Sequence, residues 1–413
     1  MGKTAAASKG YAKSARLEVG LNRRNAPARA INVELAVILS VLTGAALFIS
    51  PLVAFGASVF LLINLERDMP EVARRLLAVV AAIALAMMAG ARPLDPAASN
   101  DIDGYYDIYR ELAAGDLSYL TNFGGGLEVA LPLLLWLWGQ LLPPLTINGL
   151  MFCLALTSSL LMMIWVEKTF YVEQGFRRPA LIGVCLLMLN LYFSTQLSRQ
   201  FLSLIVLLFA FSAHSRMKQL LFVVLASAFH LTAIPFFAAY FLAKRGPREW
   251  LFLIALAVGL RIFFGQFVAA FDIVPEAVAE KLLYYVDSAD NAVASDLASL
   301  RMIILLGLVS LVGGAASGFR LDPKSRRWLA VPWITGLVYL VLLPIPLASL
   351  RGTLMIHSVI PGLIAYKMLE GRARHALPVV LNVLFAYKMS AFLTAEQSGN
   401  LLSTLSILDD FVQ

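Results

Sequence analysis

The sequence predicts an all-α protein, a polytopic transmembrane helical bundle, and three observations predict it. The chain has 413 residues, 60% of them hydrophobic and 14% charged, with a mean hydropathy of +0.79. A soluble core cannot absorb that much apolar surface, whereas bilayer hydrocarbon can, at about 20 apolar residues per spanning helix. The apolar runs are long and unbroken, unlike the alternating ten-residue segments of a membrane barrel. Backbone polar groups find no water in lipid, so such runs must be helices.

The first element is a basic tail over residues 1–30. It carries Lys3, Lys9, Lys13, Arg16, Arg23, Arg24 and Arg29 against Glu18. It is too long and diffuse for a signal-peptide n-region, so an uncleaved cytoplasmic tail is expected. The transmembrane bundle follows over 31–393. Its apolar segments fall near 31–49, 52–65, 75–91, 128–143, 147–165, 179–195, 197–213, 219–243, 250–265, 299–317, 328–347, 352–369 and 377–393. Several are short for a full span, so about eleven to thirteen segments are expected, not all complete crossings. Residues 394–413 form a C-terminal tail.

Charge sets the topology, because cytoplasmic loops collect Lys and Arg. Arg67, Arg74 and Arg75 read as inside. The loop 92–127 carries Asp95, Asp101, Asp103, Asp107, Glu111 and Asp116 against Arg92 and Arg110, and reads as outside. The loop 266–298, with Asp272, Glu276, Glu280, Asp287, Asp290 and Asp296, reads likewise. Arg320, Lys324, Arg326, Arg327, Lys367, Arg372 and Arg374 return inside.

Two places break the alternation. Lys168, Arg177 and Arg178 want to be inside, which makes 128–143 a segment that enters and returns. Arg216–Lys218 and Lys244–Arg248 also both want to be inside. Either 219–243 is a hairpin of two half-helices with His230 near its tip, or it is one long helix bent at Pro235. Non-helical backbone at membrane depth is tolerated where it lines a protein cavity, so such breaks point to a binding site.

The net charge of +7 does not indicate nucleic acid, since the basic residues sit between apolar runs. Cys153 and Cys185 lie within apolar runs and read as small core residues. The four histidines are far apart, so no metal cluster is visible, and no nucleotide-binding glycine loop or nucleophile elbow is present. No cofactor is expected.

Ionisable groups within or beside apolar segments are the functional candidates, because burying them in lipid is costly. They are Glu128, Arg199, His230, Arg261, Arg301, Arg351 and His357. In the outer loop, helical spacing puts Asp101, Tyr105 and Tyr109 on one face. Carboxylates accept sugar hydroxyls and rings cover sugar C–H patches, although an interfacial helix with belt tyrosines reads the same way. Gly124-Gly125-Gly126 permits a sharp turn that delivers Glu128 to a helix start, where a carboxylate could also simply cap the helix. Ser198-Arg199-Gln200 opens an apolar helix at the outer face, and Arg351 follows Pro344 and Pro346. A guanidinium matches phosphate geometry, so both arginines could clamp a pyrophosphate, or could snorkel to lipid phosphate. His230 sits mid-segment in Phe229-His230-Leu231-Thr232, either as a structural hydrogen-bonding residue or as a proton-transfer group.

In this order (Asp101, Asp103, Tyr105 and Tyr109; Gly126 and Glu128; Ser198-Arg199-Gln200; Ala228-Phe229-His230-Leu231-Thr232; Arg351 and Pro361) the sequence resembles the EpsG/Wzy-like group of bacterial polysaccharide polymerases, over roughly residues 75–370. It departs from them in its long basic tail. The resemblance implies a GT-C-like fold in the bacterial inner membrane, N-terminus cytoplasmic. It implies metal-independent joining of undecaprenyl-pyrophosphate-linked oligosaccharide repeat units at the outer face. Partners would be the lipid-linked oligosaccharide, membrane lipids and a chain-length regulator protein. On this reading Glu128, Asp103 and His230 are catalytic candidates, with Glu128 preferred as base. Arg199 and Arg351 bind pyrophosphate, and Asp101, Tyr105, Tyr109 and Gln200 bind glycan. A flippase for lipid-linked oligosaccharides would use the same arginines but needs polar groups along a full path across the membrane. An O-antigen ligase would share the chemistry but use a larger outer loop.

Overall fold

A computed structural model describes residues 33–65, 69–94, 101–243, 247–262, 333–339, 358–363 and 377–394, with positions 304, 307, 331, 354 and 366. All regular structure among the described residues is helical. The tail 1–30 and the loop 266–298 lie outside them, as do Arg301, Arg351, His357 and the C-terminal tail beyond Thr394.

The centre of the bundle is an antiparallel pair, α3 (Glu71–Gly90) on α7 (Ile147–Val166). Alanines at 73, 78, 81, 82 and 84 are buried along α3. Small residues of this kind let helix backbones approach closely where lipid supplies no hydrophobic drive. Around the pair lie α1 (Val33–Ala46), α2 (Pro51–Asn64), α8 (Ala180–Leu187), α10 (Ser198–Ser212) and α14 (Leu377–Thr394). Pro51 starts α2 with Ser50 as its cap, the Ser50 Oγ accepting the Val53 N–H at 3.3 Å, an arrangement suited to a helix start.

The basic loops come together at one end. Arg74 and Arg75 of α3 both bond the Glu167 carboxylate just past α7, and the Arg74 guanidinium lies 4.0 Å from the Tyr171 ring centre. Residues Glu167–Val172 form a π-helical turn that extends α7. Trp165 Nε1 donates to the Ser212 hydroxyl at 2.8 Å, which brings the end of α10 there too. From that end α3 runs 20 residues, about 30 Å, to the opposite end, where the acidic outer-loop helix α4 (Asp101–Ala113) lies.

Among the described residues, two helices are long and apolar enough to cross a membrane, Glu71–Gly90 and Ile147–Val172; several others are apolar but shorter. Three of the expected segments are divided or shortened. The segment 179–195 breaks at Asn190, whose side chain caps α9 (Leu191–Gln196). The segment 128–143 yields only α6 (Ala130–Leu141), about 18 Å long. The segment 219–243 breaks at His230 into α11 (Arg216–Phe229) and α12 (Ala233–Ala243).

That last break makes a hairpin. Phe222 of α11 stacks on Phe209 of α10, and Tyr240 of α12 stacks on Phe211 at 4.0 Å. Both arms thus meet the Ser212 end of α10. The turn between them sits at Ser203, whose hydroxyl donates to the carbonyl of Ala226 at 2.8 Å. The chain does not run on through a bend at Pro235.

Large apolar side chains face outward along α1 (Leu35, Ile38, Leu42), α11 (Leu220, Leu221, Val224) and α14 (Val379, Val383). An exposed apolar surface this extended suits hydrocarbon rather than water.

Candidate active site

The site lies at the end opposite the basic loops, and glycine geometry builds it. Gly124, Gly125 and Gly126 all have positive φ, at 60°, 72° and 77°, a region closed to most side chains. A Cβ on Gly124 would stand 2.7 Å from the Glu128 Cβ, and one on Gly126 would stand 2.7 Å from the Thr121 carbonyl oxygen. The turn therefore folds directly against the acid it delivers.

Glu128 does not cap α6, whose start has no side-chain cap. Its carboxylate is instead fully engaged elsewhere. Oε2 accepts from Arg199 at 2.7 Å, and Oε1 accepts from the backbone N–H of Leu231 at 3.3 Å. The second bond exists because α11 ends at His230, which is extended (φ −160°, ψ 128°). Leu231 thus lies between two helices, ahead of the start of α12 (Ala233–Ala243), where an N–H has no intrahelical acceptor.

Arg199 lies in the first turn of α10. Its guanidinium stands 4.9 Å from the Phe123 ring centre and 6.0 Å from that of Tyr105. Asp101 is within electrostatic reach. The cation is thus framed by two rings and two carboxylates, and its side chain stays 17% exposed while that of Glu128 is 3% exposed.

His230 Nδ1 lies 3.7 Å from Glu128 Oε1. The same nitrogen accepts the Thr232 N–H at 3.2 Å. That assigns the ring proton to Nε2, so Nδ1 does not donate to Glu128 in this arrangement.

The remaining expected residues divide. Asp101, Tyr105 and Tyr109 share a face of α4, as their spacing requires. Tyr105 borders Arg199. Tyr109 instead sits in the core, and its hydroxyl accepts the Leu145 N–H at 3.1 Å, which fits a packing role better than sugar contact. Asp103 is exposed on another face of α4. Gln200 lines a narrow cavity together with Ser203, Thr232, Phe236 and Leu354. Arg351 lies outside the described residues. Arg261 closes α13 (Pro247–Ile262), with only its backbone described.

Sequence reasoning missed Phe123, the Leu231 N–H and Gln196, whose Oε1 accepts the Ile102 N–H at 3.3 Å and fixes the start of α4 against α9. Only Phe123 left a signal, as the aromatic residue opening the glycine run.

The fold and site define a helical membrane protein with a buried acid–arginine pair at one end of its bundle. The EpsG family model matches residues 75–403, and the chain belongs to that family, which includes Wzy-like polymerases. Neither a curated protein nor a solved structure gives a match.

Proposed function

We propose that the protein joins undecaprenyl-pyrophosphate-linked oligosaccharide repeat units at the outer face of the bacterial inner membrane, by metal-independent glycosyl transfer. Family membership supports polysaccharide polymerase-like chemistry. The observation that carries the specific reading is the Arg199–Glu128 pair. A fixed cation and a carboxylate stand together at the end of the bundle away from the basic loops.

The arrangement suggests an order of events. A diphosphate reaching the exposed edge of Arg199 competes with Glu128 for the guanidinium, because phosphate accepts the same bidentate fork. Glu128 Oε2 is then released and takes the proton of the acceptor hydroxyl. The hydroxyl oxygen attacks the anomeric carbon. The bond from that carbon to the carrier diphosphate breaks, and the charge leaving with the diphosphate is stabilised by Arg199. His230, with its ring proton on Nε2, would donate to a substrate oxygen. Arg351 would supply the second cation. Phe123 and Tyr105 offer rings to a sugar.

A flippase would spread such groups along a path across the membrane. Among the described residues the site's polar groups gather at one end, which favours the enzyme. The test is extension of defined lipid-linked repeat units by purified protein without nucleotide. Extension that survives a chelator supports the reading. Failure of the wild-type chain to extend any such unit overturns it, and loss of extension with chelator removes metal independence.

A further inference from the structure

A second arginine stands at the site's end of the bundle and takes no part in the mechanism above. Arg92 follows the last turn of α3, whose terminal carbonyls favour a cation. That position alone needs no ligand, but three other facts do not follow from it. The guanidinium stacks on Tyr192, 5.0 Å from the ring centre, at the start of α9. The residue is half-buried, and burial works against its charge. No carboxylate pairs with it among the described residues, whereas Arg74, Arg75 and Arg199 each have one.

The surroundings are fixed rather than loose. Asn190 Oδ1 accepts the N–H of Tyr192 at 2.9 Å and holds the start of α9. One turn further, Gln196 ties α9 to α4, and Arg199 begins the next helix. Tyr192 and Arg199 are seven positions apart, on two consecutive helices joined at Leu197. Tyr192 is exposed and Arg92 is only half-buried, and a guanidinium is the side chain best matched to an oxygen anion.

We infer that Arg92, on its Tyr192 platform, is a second phosphate-binding site, which takes the phosphate of a lipid headgroup beside the Arg199 site. The shared ligand chemistry is a lipid-borne phosphate, either the polyprenyl diphosphate of a substrate or the phosphodiester of a bilayer lipid. A transferase that joins two lipid-linked units must hold two such headgroups at once, and Arg199, already paired with Glu128, accounts for one. The inference rests on the proposed function only in that last step, which prefers the diphosphate as the source.

The experiment measures lipid binding, not polymerisation, so the two readings fail separately. The full chain in phosphatidylcholine nanodiscs is titrated with undecaprenyl diphosphate and, separately, with phosphatidylglycerol. Wild type, Arg92→Ala, Arg92→Lys and Tyr192→Leu are compared. Arg92→Ala is expected to weaken one ligand by about tenfold to a hundredfold, the scale of one charge-assisted contact. Arg92→Lys should recover part of that, since it keeps the charge and loses the fork, and Tyr192→Leu should weaken the same ligand less. Loss confined to the diphosphate identifies the carrier; loss confined to phosphatidylglycerol identifies a bilayer headgroup; both support a phosphate site. Unchanged binding of both ligands by Arg92→Ala, with a monodisperse elution profile as the sign of folding, overturns it. Extension of repeat units, followed in parallel, reports on the proposed function independently.

Discussion

Arg199 and Glu128, 71 positions apart, form a 2.7 Å ion pair whose partners are unequally hidden, the carboxylate at 3% exposure and the guanidinium at 17%. The inequality governs what each loss does. Without Arg199, the carboxylate keeps only the Leu231 N–H and cannot reach solvent. Without Glu128, the guanidinium still has its rings and an open edge. Removing one member of a buried pair costs about 3–5 kcal/mol, less where the survivor can be solvated. Arg199→Ala should therefore destabilise the protein more than Glu128→Ala. Thermal denaturation of the two purified variants checks this, and the reverse order would contradict the burial argument.

The same pair separates stability from chemistry. Glu128→Gln keeps the side chain's shape and an acceptor for the Leu231 N–H, but cannot take a proton. Extension of lipid-linked units should fall by about 10²–10⁴, the usual contribution of a general base, while carrier diphosphate binding holds or tightens, because Arg199 is no longer neutralised. Arg199→Lys should lose carrier binding as well. A Glu128→Gln variant that extends chains at the wild-type rate would remove Glu128 as the base.

Gly124 offers a test of how the acid is delivered. Alanine there meets two obstacles, a positive φ and the Glu128 Cβ at 2.7 Å. Strain at such a position costs about 1–3 kcal/mol. Gly104, in α4, has open space where a Cβ would go. Gly124→Ala should therefore lower both stability and extension while Gly104→Ala leaves extension intact; equal effects in an extension assay would show that the turn does not position Glu128.

How far the sequence revealed this site depends on the range of the contacts. The spacing of Asp101, Tyr105 and Tyr109 is local, and their shared face was legible from helical periodicity. So was the unusual backbone at 124–126, since three glycines in a row have few other uses. What Glu128 touches was not legible. Its partners lie 71 and 103 positions away, and one of them is a backbone N–H that exists as a donor only because a helix ends at His230. Tyr109 shows the opposite failure. Its periodicity with Tyr105 is real, but the neighbouring Leu145 N–H captures its hydroxyl and the core encloses the ring. Among the described residues, the basic stretches at Arg74–Arg75, Lys168 and Arg216 that charge counting grouped together do lie at one end of the bundle, as the bias of such residues to one membrane face leads one to expect.

The hairpin is open to direct measurement. Phe222 lies on Phe209 and Tyr240 on Phe211, so the start of α11 and the Ala243 end of α12 flank the same end of α10, and the two loops to tag are the one before Arg216 and the one after Ala243. Sidedness reporters fused at the two loops should give the same sign. A single spanning helix would give opposite signs, and that result would overturn the hairpin.

Arg74 and Glu167, at the basic end, provide the control for every effect above. Glu167 is shared by Arg74 and Arg75, and Arg75 is half exposed with Glu71 as a second partner at 2.6 Å. Arg75→Ala should cost under about 1 kcal/mol, as exposed pairs do. Arg74 is buried, and without Glu167 it keeps only the Tyr171 ring. Glu167→Ala should therefore cost about 3 kcal/mol. Neither change reaches the site, which lies beyond the length of α3, about 30 Å. Both variants should bind undecaprenyl diphosphate with wild-type affinity at a temperature where they remain folded. If Glu167→Ala abolished that binding while the protein still eluted as a single species, the two ends of the bundle would be coupled, and loss of binding in Arg199→Ala could no longer be assigned to a local contact.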